Sequence, residues 1–253
     1  MAGLKSLFVS HGSPMIALAA SPASHFLAGL GRTMVRPKAV VAVSAHWRTD
    51  GFAVGAAARP ETIHDFFGFP PPLYAMTYAA AGDPALAARV AELTGARLDP
   101  RRGLDHGLWT VMKLLWPEAD VPVVPVSLAR CLGPEAHFQL GRCLRSLTGQ
   151  GVLILGSGAA THNLAAYAGR ERTEMALPWV TAFTDWLAAV VTRGGQDDLL
   201  QYRQLAPHAV DNHPTDEHLL PLFAAAGAAP GSGRVLHRSV EHGVIAMDAY
   251  GWD

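Results

Sequence analysis

The sequence predicts a layered α/β fold, with helices on both faces of a mixed central sheet that is mainly parallel. Short runs rich in Val, Leu and Ile alternate along the chain with longer stretches of helical periodicity, and this alternation is typical of α/β proteins. The short runs are continuously apolar, as expected for parallel strands that are buried on both faces. Because no linker or internal repeat interrupts the 253 residues, we expect residues 1–253 to form a single domain.

The individual elements follow from these patterns in chain order. The runs with the composition of strands are Leu7–Val9, Ala39–Ser44, Phe52–Ala56, Val121–Leu128, Val152–Leu155 and Val244–Ala249. The runs with the spacing of helices are Pro84–Leu93, Leu108–Trp116, Pro134–Leu147, Pro178–Val191 and Asp216–Ala226. Several of these helices begin with Pro, which the first turn tolerates because its missing N–H has no intrahelical partner there.

Two irregular segments lie between the predicted elements. Arg59–Tyr78 contains three consecutive prolines and a cluster of aromatic residues, and Asp99–Trp109 precedes and overlaps the start of a predicted helix. Long loops inside a compact domain commonly carry binding residues. The density of Phe and Tyr argues against disorder, so we expect binding loops.

The composition excludes some classes of partner. Half of the residues are apolar, 16% are charged and the formal net charge is −1, so the chain has no electrostatic signature of a nucleic-acid or anionic-membrane partner. It begins without a signal-peptide pattern, and no run approaches the roughly 18 apolar residues of a membrane span. We therefore expect a cytoplasmic protein whose partner is a small molecule or another copy of the chain in a homo-oligomer. Cys131 and Cys143 lack metal-binding spacing and are expected to be reduced thiols.

Four of the 12 histidines stand where a metal site would need them. His11, His46 and His162 each follow a strand-like run, and His218 lies near the start of a predicted helix. The carboxyl ends of parallel strands share one edge of a sheet, where ligands of open α/β sheets bind. Because imidazoles are common in metal sites and in proton transfer, we predict that these histidines share one functional site.

Glycine and small polar residues accompany the first and third of these histidines. Gly12 permits a tight exit from the first strand, and Ser13 followed by proline has the composition of a helix start. The segment 156–158, Gly-Ser-Gly, is expected to form a turn after its strand and to direct His162 into a cleft. It matches neither a phosphate-binding loop nor the elbow of a serine nucleophile.

The fourth histidine has a carboxylate beside it. Thr215 is predicted to cap a helix with His218 at its third position. Glu217 and His218 would then lie about 100° apart around the helix, so only one of them would easily face a given metal.

Two further histidines lie in the irregular segments. His64 and His106 stand beside Asp65 and Asp105, and a nearby carboxylate can fix a histidine tautomer or keep the ring charged. We expect both histidines to face a substrate. The remaining histidines are expected at the surface, with His213 and His242 the nearest to the cleft, and they are His25, His137, His208, His213, His237 and His242.

A series of ordered motifs resembles the class III extradiol ring-cleavage dioxygenases, in particular their DOPA 4,5-dioxygenase branch. The motifs extend from residue 11 to residue 222 and are HGSPM, P-x-A-V-V-A-V-S-A-H-W, T-I-H-D-F-x-G-F-P, L-Y, G-L-D-H-G-x-W, S-G-x-x-x-H-N-L and P-T-x-E-H-x-L-P-L. So many motifs in one order form a specific signal. Two departures, Phe67 in FFGFP and His213 before Pro-Thr, fall near the expected pocket mouth and bear on substrate choice.

The resemblance implies a non-haem metal enzyme that opens the ring of a small catechol with O₂. By position, His11 and His46 match metal ligands and His218 matches the third ligand of this branch. Related enzymes use two histidines and a glutamate, which leaves Glu217 as the alternative. His162 matches the acid/base histidine beside the metal. The other predicted site residues are His106 in catalysis and Ser13, His64, Phe69 and Tyr74 in substrate binding.

The resemblance also sets the expected metal. Fe(II) is expected for activity, and Zn(II) is expected to occupy the site in purified protein because nitrogen ligands bind it more tightly. Two other functions fit the same histidines. Three imidazoles and a water describe a zinc hydrolase equally well, and a binding protein without activity could retain the metal site.

Overall fold

Ten strands are present in the computed structural model, which describes residues 3–253. They are β1 (Ser6–Ser10), β2 (Ala39–Thr49), β3 (Ala53–Gly55), β4 (Arg97–Asp99), β5 (Val123–Ala129), β6 (Val152–Gly158), β7 (Arg234–His237), β8 (Val240–Glu241), β9 (Ile245–Ala246) and β10 (Ala249–Trp252). β8 and β9 form a separate hairpin, and the others form one sheet in the order β4-β3-β5-β2-β6-β1-β10-β7.

The centre of this sheet is parallel. β5, β2, β6 and β1 all run in the same direction, while β3 and β10 are antiparallel to β5 and β1. Every residue of β1, β5 and β6 is buried, which explains their continuous apolar sequence. The predicted α/β fold with a mixed, mainly parallel sheet is therefore confirmed.

Helices cover both faces of the sheet. The α-helices are α1 (Pro22–Thr33), α2 (Pro71–Tyr74), α3 (Pro84–Thr94), α4 (His106–Leu115), α5 (Pro134–Thr148), α6 (Leu164–Tyr167), α7 (Pro178–Arg193), α8 (Gln196–Leu200), α9 (Tyr202–Leu205), α10 (Ala209–Asn212) and α11 (Leu220–Ala228). Successive residues of a strand point to opposite faces. Ser157 of β6 contacts the start of α4, whereas Gly156 and Gly158 face the segment that begins α11, so α4 and α11 lie on opposite faces.

Several predicted boundaries were wrong, and strand pairing explains the first two of the three that follow. The segment 156–158 is strand rather than turn, since Ser157 pairs with Val9 of β1 and Ser44 of β2. The predicted strand Val244–Ala249 is divided, since β9 pairs with β8 and β10 pairs with β1. The last predicted helix begins at Leu220 instead of Asp216.

Two smaller expectations concern membranes and thiols. Within residues 3–253, no helix combines the length and the apolar composition that a membrane crossing requires. Cys131 and Cys143 are exposed and not joined in a disulfide.

Candidate metal centre

His11 leaves the sheet at the carboxyl end of β1. Gly12 follows it with a φ of 61°, a left-handed conformation that glycine adopts at no steric cost. Ser13 then caps a short 3-10 turn, because its hydroxyl accepts a hydrogen bond from the backbone N–H of Met15 at 3.3 Å. This agrees with the predicted tight exit and helix start, although the helix is of the 3-10 type.

His46 lies inside β2 rather than after it. The pairing of β2 with β5 shifts between Val43 and Arg48, and a bulge of this kind redirects the side chains within it. Ser44 fixes the bulge, because its hydroxyl donates to Oδ1 of Asp105 at 2.7 Å and accepts from the backbone N–H of His46 at 3.1 Å. β6 separates β1 from β2, so the two histidines reach the same crevice from strands that are not neighbours.

His218 comes from the turn before α11. The predicted cap was wrong: the hydroxyl of Thr215 donates to Oε1 of Glu217 at 3.1 Å and caps no helix. The backbone carbonyl of His218 instead accepts from the N–H of Ala159 at 2.8 Å. A Cβ on Gly158 would lie 2.0 Å from that carbonyl oxygen, so this glycine allows the turn to pack against the end of β6.

One ring nitrogen from each of His11, His46 and His218 lies within 4.8 Å of the others. Nε2 of His11 and Nε2 of His46 are 3.0 Å apart. His11 and His218 are almost fully buried. The structure therefore brings together the three histidines that the sequence predicts as metal ligands.

Neighbouring groups set the tautomers of these rings. The Ser157 hydroxyl donates to the carbonyl of Gly107, so its oxygen accepts from Nδ1 of His11 at 3.0 Å. Oε1 of Glu217 accepts from Nδ1 of His218 at 3.1 Å. In both rings the proton is therefore on Nδ1, and Nε2 carries the lone pair that can bind a metal.

The charge state of the cluster suits a cation. Burial lowers the pKa of His11 and of His218 well below the usual value, and the neighbouring histidines lower it further. Burial and then His106 lower the pKa of His46 to about 3. Three neutral imidazole nitrogens this close together form a donor set of the type that binds divalent iron or zinc, so the residues fit a divalent metal.

Glu217, the alternative third ligand, is grouped differently. Its carboxylate clusters with His162 and His218 and not with the group that contains His11 and His46. It stabilises the tautomer of His218, as carboxylates do for many metal-bound histidines.

His162 lies beside the cluster in the loop after β6. Its ring stacks on the ring of His218, with centroids 3.4 Å apart and planes 11° apart. Nδ1 of His162 is 3.9 Å from Oε1 of Glu217. Burial lowers the pKa of His162, although Glu217 opposes the shift, so the ring is neutral and able to accept a proton at neutral pH.

His106 is the first residue of α4, and a carboxylate from another loop orients it. Asp65 Oδ1 accepts from Nδ1 of His106 at 2.9 Å and from its backbone N–H at 3.0 Å. Burial alone would raise the pKa of Asp65, but these hydrogen bonds lower it to about 2. The carboxylate beside His106 in sequence, Asp105, instead pairs with Arg102. The histidine and aspartate pairs suggested by sequence adjacency were therefore wrong.

A pocket of about 360 Å³ opens over the cluster. His11, His46, His106, His162 and His218 line its inner end, while its other walls include Ser13, Phe66, Phe69, Leu164 and Ile245. Of the predicted substrate-binding residues, Ser13 and Phe69 thus line the pocket.

Two predicted substrate-binding residues do not line this pocket. Nε2 of His64 donates to the carbonyl of Met76 at 2.9 Å, and the rings of His64 and Tyr74 both pack against Phe66. These two side chains therefore support an aromatic wall instead of forming it. Phe67 is 91% exposed and also lies outside the lining.

Sequence reasoning missed several residues of the pocket. Glu241 and Tyr167, which line the pocket, were not predicted, whereas His242 lines it in agreement with its expected place near the cleft. His213 is fully buried and donates from Nε2 to the carbonyl of Ala160 at 2.8 Å. A glycine directly after His242 was the one local signal of a tight turn.

Comparisons with known proteins agree with this site. Residues 5–251 match the family model described as the catalytic LigB subunit of aromatic ring-opening dioxygenase. The chain is 37% identical over 257 residues to a 4,5-DOPA dioxygenase extradiol from Beta vulgaris, covering 97% of this chain and 95% of that one. It is 39% identical over 253 residues to a protein of the same name from Escherichia coli strain K12, covering 96% and 93%.

A solved structure agrees as well. The crystal structure of an uncharacterized protein from Escherichia coli K12 superposes with a TM-score of 0.83 at 32% identity, covering 99% of this chain and all of that one. Fold and site thus define an α/β enzyme whose pocket contains a cluster of three histidines that could hold a metal ion. The chain belongs to the class III extradiol ring-cleavage dioxygenases and is an aromatic ring-opening enzyme.

Proposed function

We propose that this enzyme uses O₂ and Fe(II) to cleave the ring of a small, DOPA-like catechol. The observation that carries the proposal is the group of three neutral imidazoles, two of them buried and that of His46 partly exposed, at the inner end of an apolar pocket, with two further histidines beside it. His11, His46 and His218 would hold the metal. A ferrous ion with three protein ligands supplies open coordination positions for a catechol and for dioxygen.

The walls of the pocket bind and orient the ring. Phe66, Phe69 and Ile245 offer flat or apolar surfaces of the size of an aromatic ring, and their burial of the substrate excludes water from the reacting atoms.

His162 moves protons. The carboxylate of Glu217 favours the proton on Nδ1 of His162, which leaves Nε2 to accept a proton from a catechol hydroxyl and to return it later in the reaction. His106, held by Asp65 in the tautomer with a free Nε2, is the second acid/base candidate.

The test is anaerobic reconstitution with Fe(II), followed by measurement of oxygen uptake with 4-methylcatechol and with DOPA. We expect one O₂ consumed for each catechol and a ring-opened product with absorbance in the near ultraviolet or visible range. The zinc-loaded protein, which purification in air favours, should consume none. If the iron form consumes no oxygen with any catechol while the zinc form hydrolyses esters or amides, the hydrolase replaces this proposal.

The ligand set has its own test. Elemental analysis should find the metal largely lost in His11→Ala, His46→Ala and His218→Ala, because each removes one of three nitrogen donors. Glu217→Gln should retain most of the metal. Loss of the metal in Glu217→Gln and not in His218→Ala would make the glutamate the third ligand.

A further inference from the structure

A second chamber adjoins the outer side of the pocket over the histidine cluster. This outer chamber has a volume of about 280 Å³ and shares Ser13, Phe69, Tyr167, Glu241 and His242 with the inner pocket. Because the two chambers adjoin, a molecule bound at the metal could direct a substituent toward the outer chamber.

Two opposite charges line this outer chamber. In the residues that the structure describes, Glu241 and Arg172 are the two charged side chains, histidines aside, that line either part of the pocket. Glu241 lines both parts, whereas Arg172 lines the outer chamber alone. Of the two charged residues, Glu241 is therefore the one that lines the same chamber as the proposed metal ligands.

Both charges lack a partner in the protein. Across residues 3–253, no oppositely charged group lies within 4.0 Å of Glu241 or of Arg172, and neither side chain makes a hydrogen bond to protein. The charges next to them behave differently, since Arg170 and Glu174 pair with each other at 2.8 Å. Unpaired charges at the wall of a binding pocket are available to a ligand.

The backbone that carries these residues is held in place. His242, at the tip of the β8–β9 hairpin, has a φ of 55°. This left-handed conformation is unfavourable in free energy for a residue other than glycine, and such conformations are commonly retained at functional sites. Its backbone N–H donates to the carbonyl of Arg172 at 2.9 Å, and its Nδ1 donates to the carbonyl of Arg170 at 2.9 Å. The hairpin and the segment around Arg172 are thus fixed against each other.

We propose that Glu241 and Arg172 determine substrate specificity by binding the charged substituent of the catechol, with Glu241 binding a cation and Arg172 an anion. This inference rests on the proposed function, because it places the ring at the metal. A substituent that carries an ammonium and a carboxylate on one carbon would engage both residues. A substituent with one charge would engage one of them.

The test compares four catechols in the full-length iron-loaded enzyme. The substituent is neutral in 4-methylcatechol, positive in dopamine and negative in 3,4-dihydroxyphenylacetate. DOPA carries both a positive and a negative charge. Glu241→Gln should lower the ratio of kcat/KM for dopamine to that for 4-methylcatechol by about tenfold, the range of a charge-assisted contact at a partly exposed site. Arg172→Gln should lower the DOPA to dopamine ratio similarly, and Glu241→Lys should reverse the order of dopamine and 3,4-dihydroxyphenylacetate.

Matched controls are available in the chain. Glu171→Gln and Arg142→Gln remove exposed charges that line neither part of the pocket, so their ratios should equal those of the wild type. Because each ratio is taken within one variant, a general loss of folding or of metal cancels. Ratios within twofold of the wild type in all three test variants would overturn the proposal.

A binding measurement separates this proposal from the proposed function. Dissociation constants of the same four catechols are measured on the zinc-loaded protein, in which no turnover is expected. If the iron enzyme cleaves none of them, the proposed function fails, and the same changes in relative affinity still decide the role of Glu241 and Arg172. Unchanged relative affinities would reject that role.

Discussion

The hydroxyl oxygen of Ser157 accepts a hydrogen bond from Nδ1 of His11 at 3.0 Å. The same hydroxyl donates to the backbone carbonyl of Gly107 in α4, so one serine joins the central strand β6 to both the end of β1 and the start of α4. The contact keeps the proton on Nδ1 and directs Nε2 toward the cluster.

Removal of this hydroxyl should weaken metal binding. Ser157→Ala leaves Nδ1 of His11 without its acceptor, and loss of such a partner lowers metal affinity by about 10–100-fold. A metal-competition titration measures the change. Ser6→Ala is the control, because Ser6 is equally buried on β1 and its hydroxyl has no hydrogen-bond partner in residues 3–253. An unchanged affinity in Ser157→Ala would contradict the role of this contact.

Replacement of His162 should separate turnover from binding. In His162→Ala we expect metal content and catechol affinity close to the wild type, with kcat reduced by about 10²–10⁴-fold, the usual contribution of an acid/base group. His25→Ala, at an exposed position of α1, should leave both unchanged. If His162→Ala loses the metal, then His162 is a ligand and His106 becomes the first candidate for the base.

A methyl group on Gly158 should disturb the third ligand. The added Cβ would overlap the backbone carbonyl oxygen of His218. This oxygen can move only if the whole turn that carries His218 moves with it. We expect Gly158→Ala to lower the free energy of unfolding by about 1–3 kcal/mol and to weaken metal binding, as measured by chemical denaturation and titration. Gly149→Ala, where only one atom lies at the edge of contact, is the matched control. Wild-type metal affinity in Gly158→Ala would show that His218 does not depend on this packing.

His213 should make the metal-free protein less stable in acid. Burial lowers the pKa of His213 to about 4, although its hydrogen bond to Ala160 opposes the shift. Between pH 6.5 and pH 4, His213 is therefore protonated in the unfolded chain and neutral in the folded chain. For this reason, stability that is present at pH 7 is lost as the pH falls toward 4. The loss from this one residue is of the order of 3 kcal/mol at pH 4.

Denaturant titrations from pH 7 to pH 4 measure this loss. His213→Asn, which cannot titrate in this range, should lose less stability than the wild type over the same interval. Equal losses in the two proteins would show that His213 does not contribute to the acid sensitivity.

Local sequence was sufficient for the elements whose interactions are local. The continuous apolar runs gave the parallel centre of the sheet, and Ser13 capped the turn after His11 as its composition predicts. A shared site for His11, His46 and His162 could be proposed because strands of one parallel sheet bring their carboxyl ends to one edge, whatever their order. Their ordered motifs added the family.

Only the tertiary structure decided the contacts between distant segments. Asp65 binds His106, 41 residues away, and not the histidine beside it, because adjacent side chains on an extended backbone point apart. The segment 156–158 became strand because β1 and β2 offered hydrogen bonds on both sides. Glu241 and Arg172 share a chamber because the hairpin of His242 packs against a loop about 70 residues earlier, and spacing along a chain carries no information about such packing.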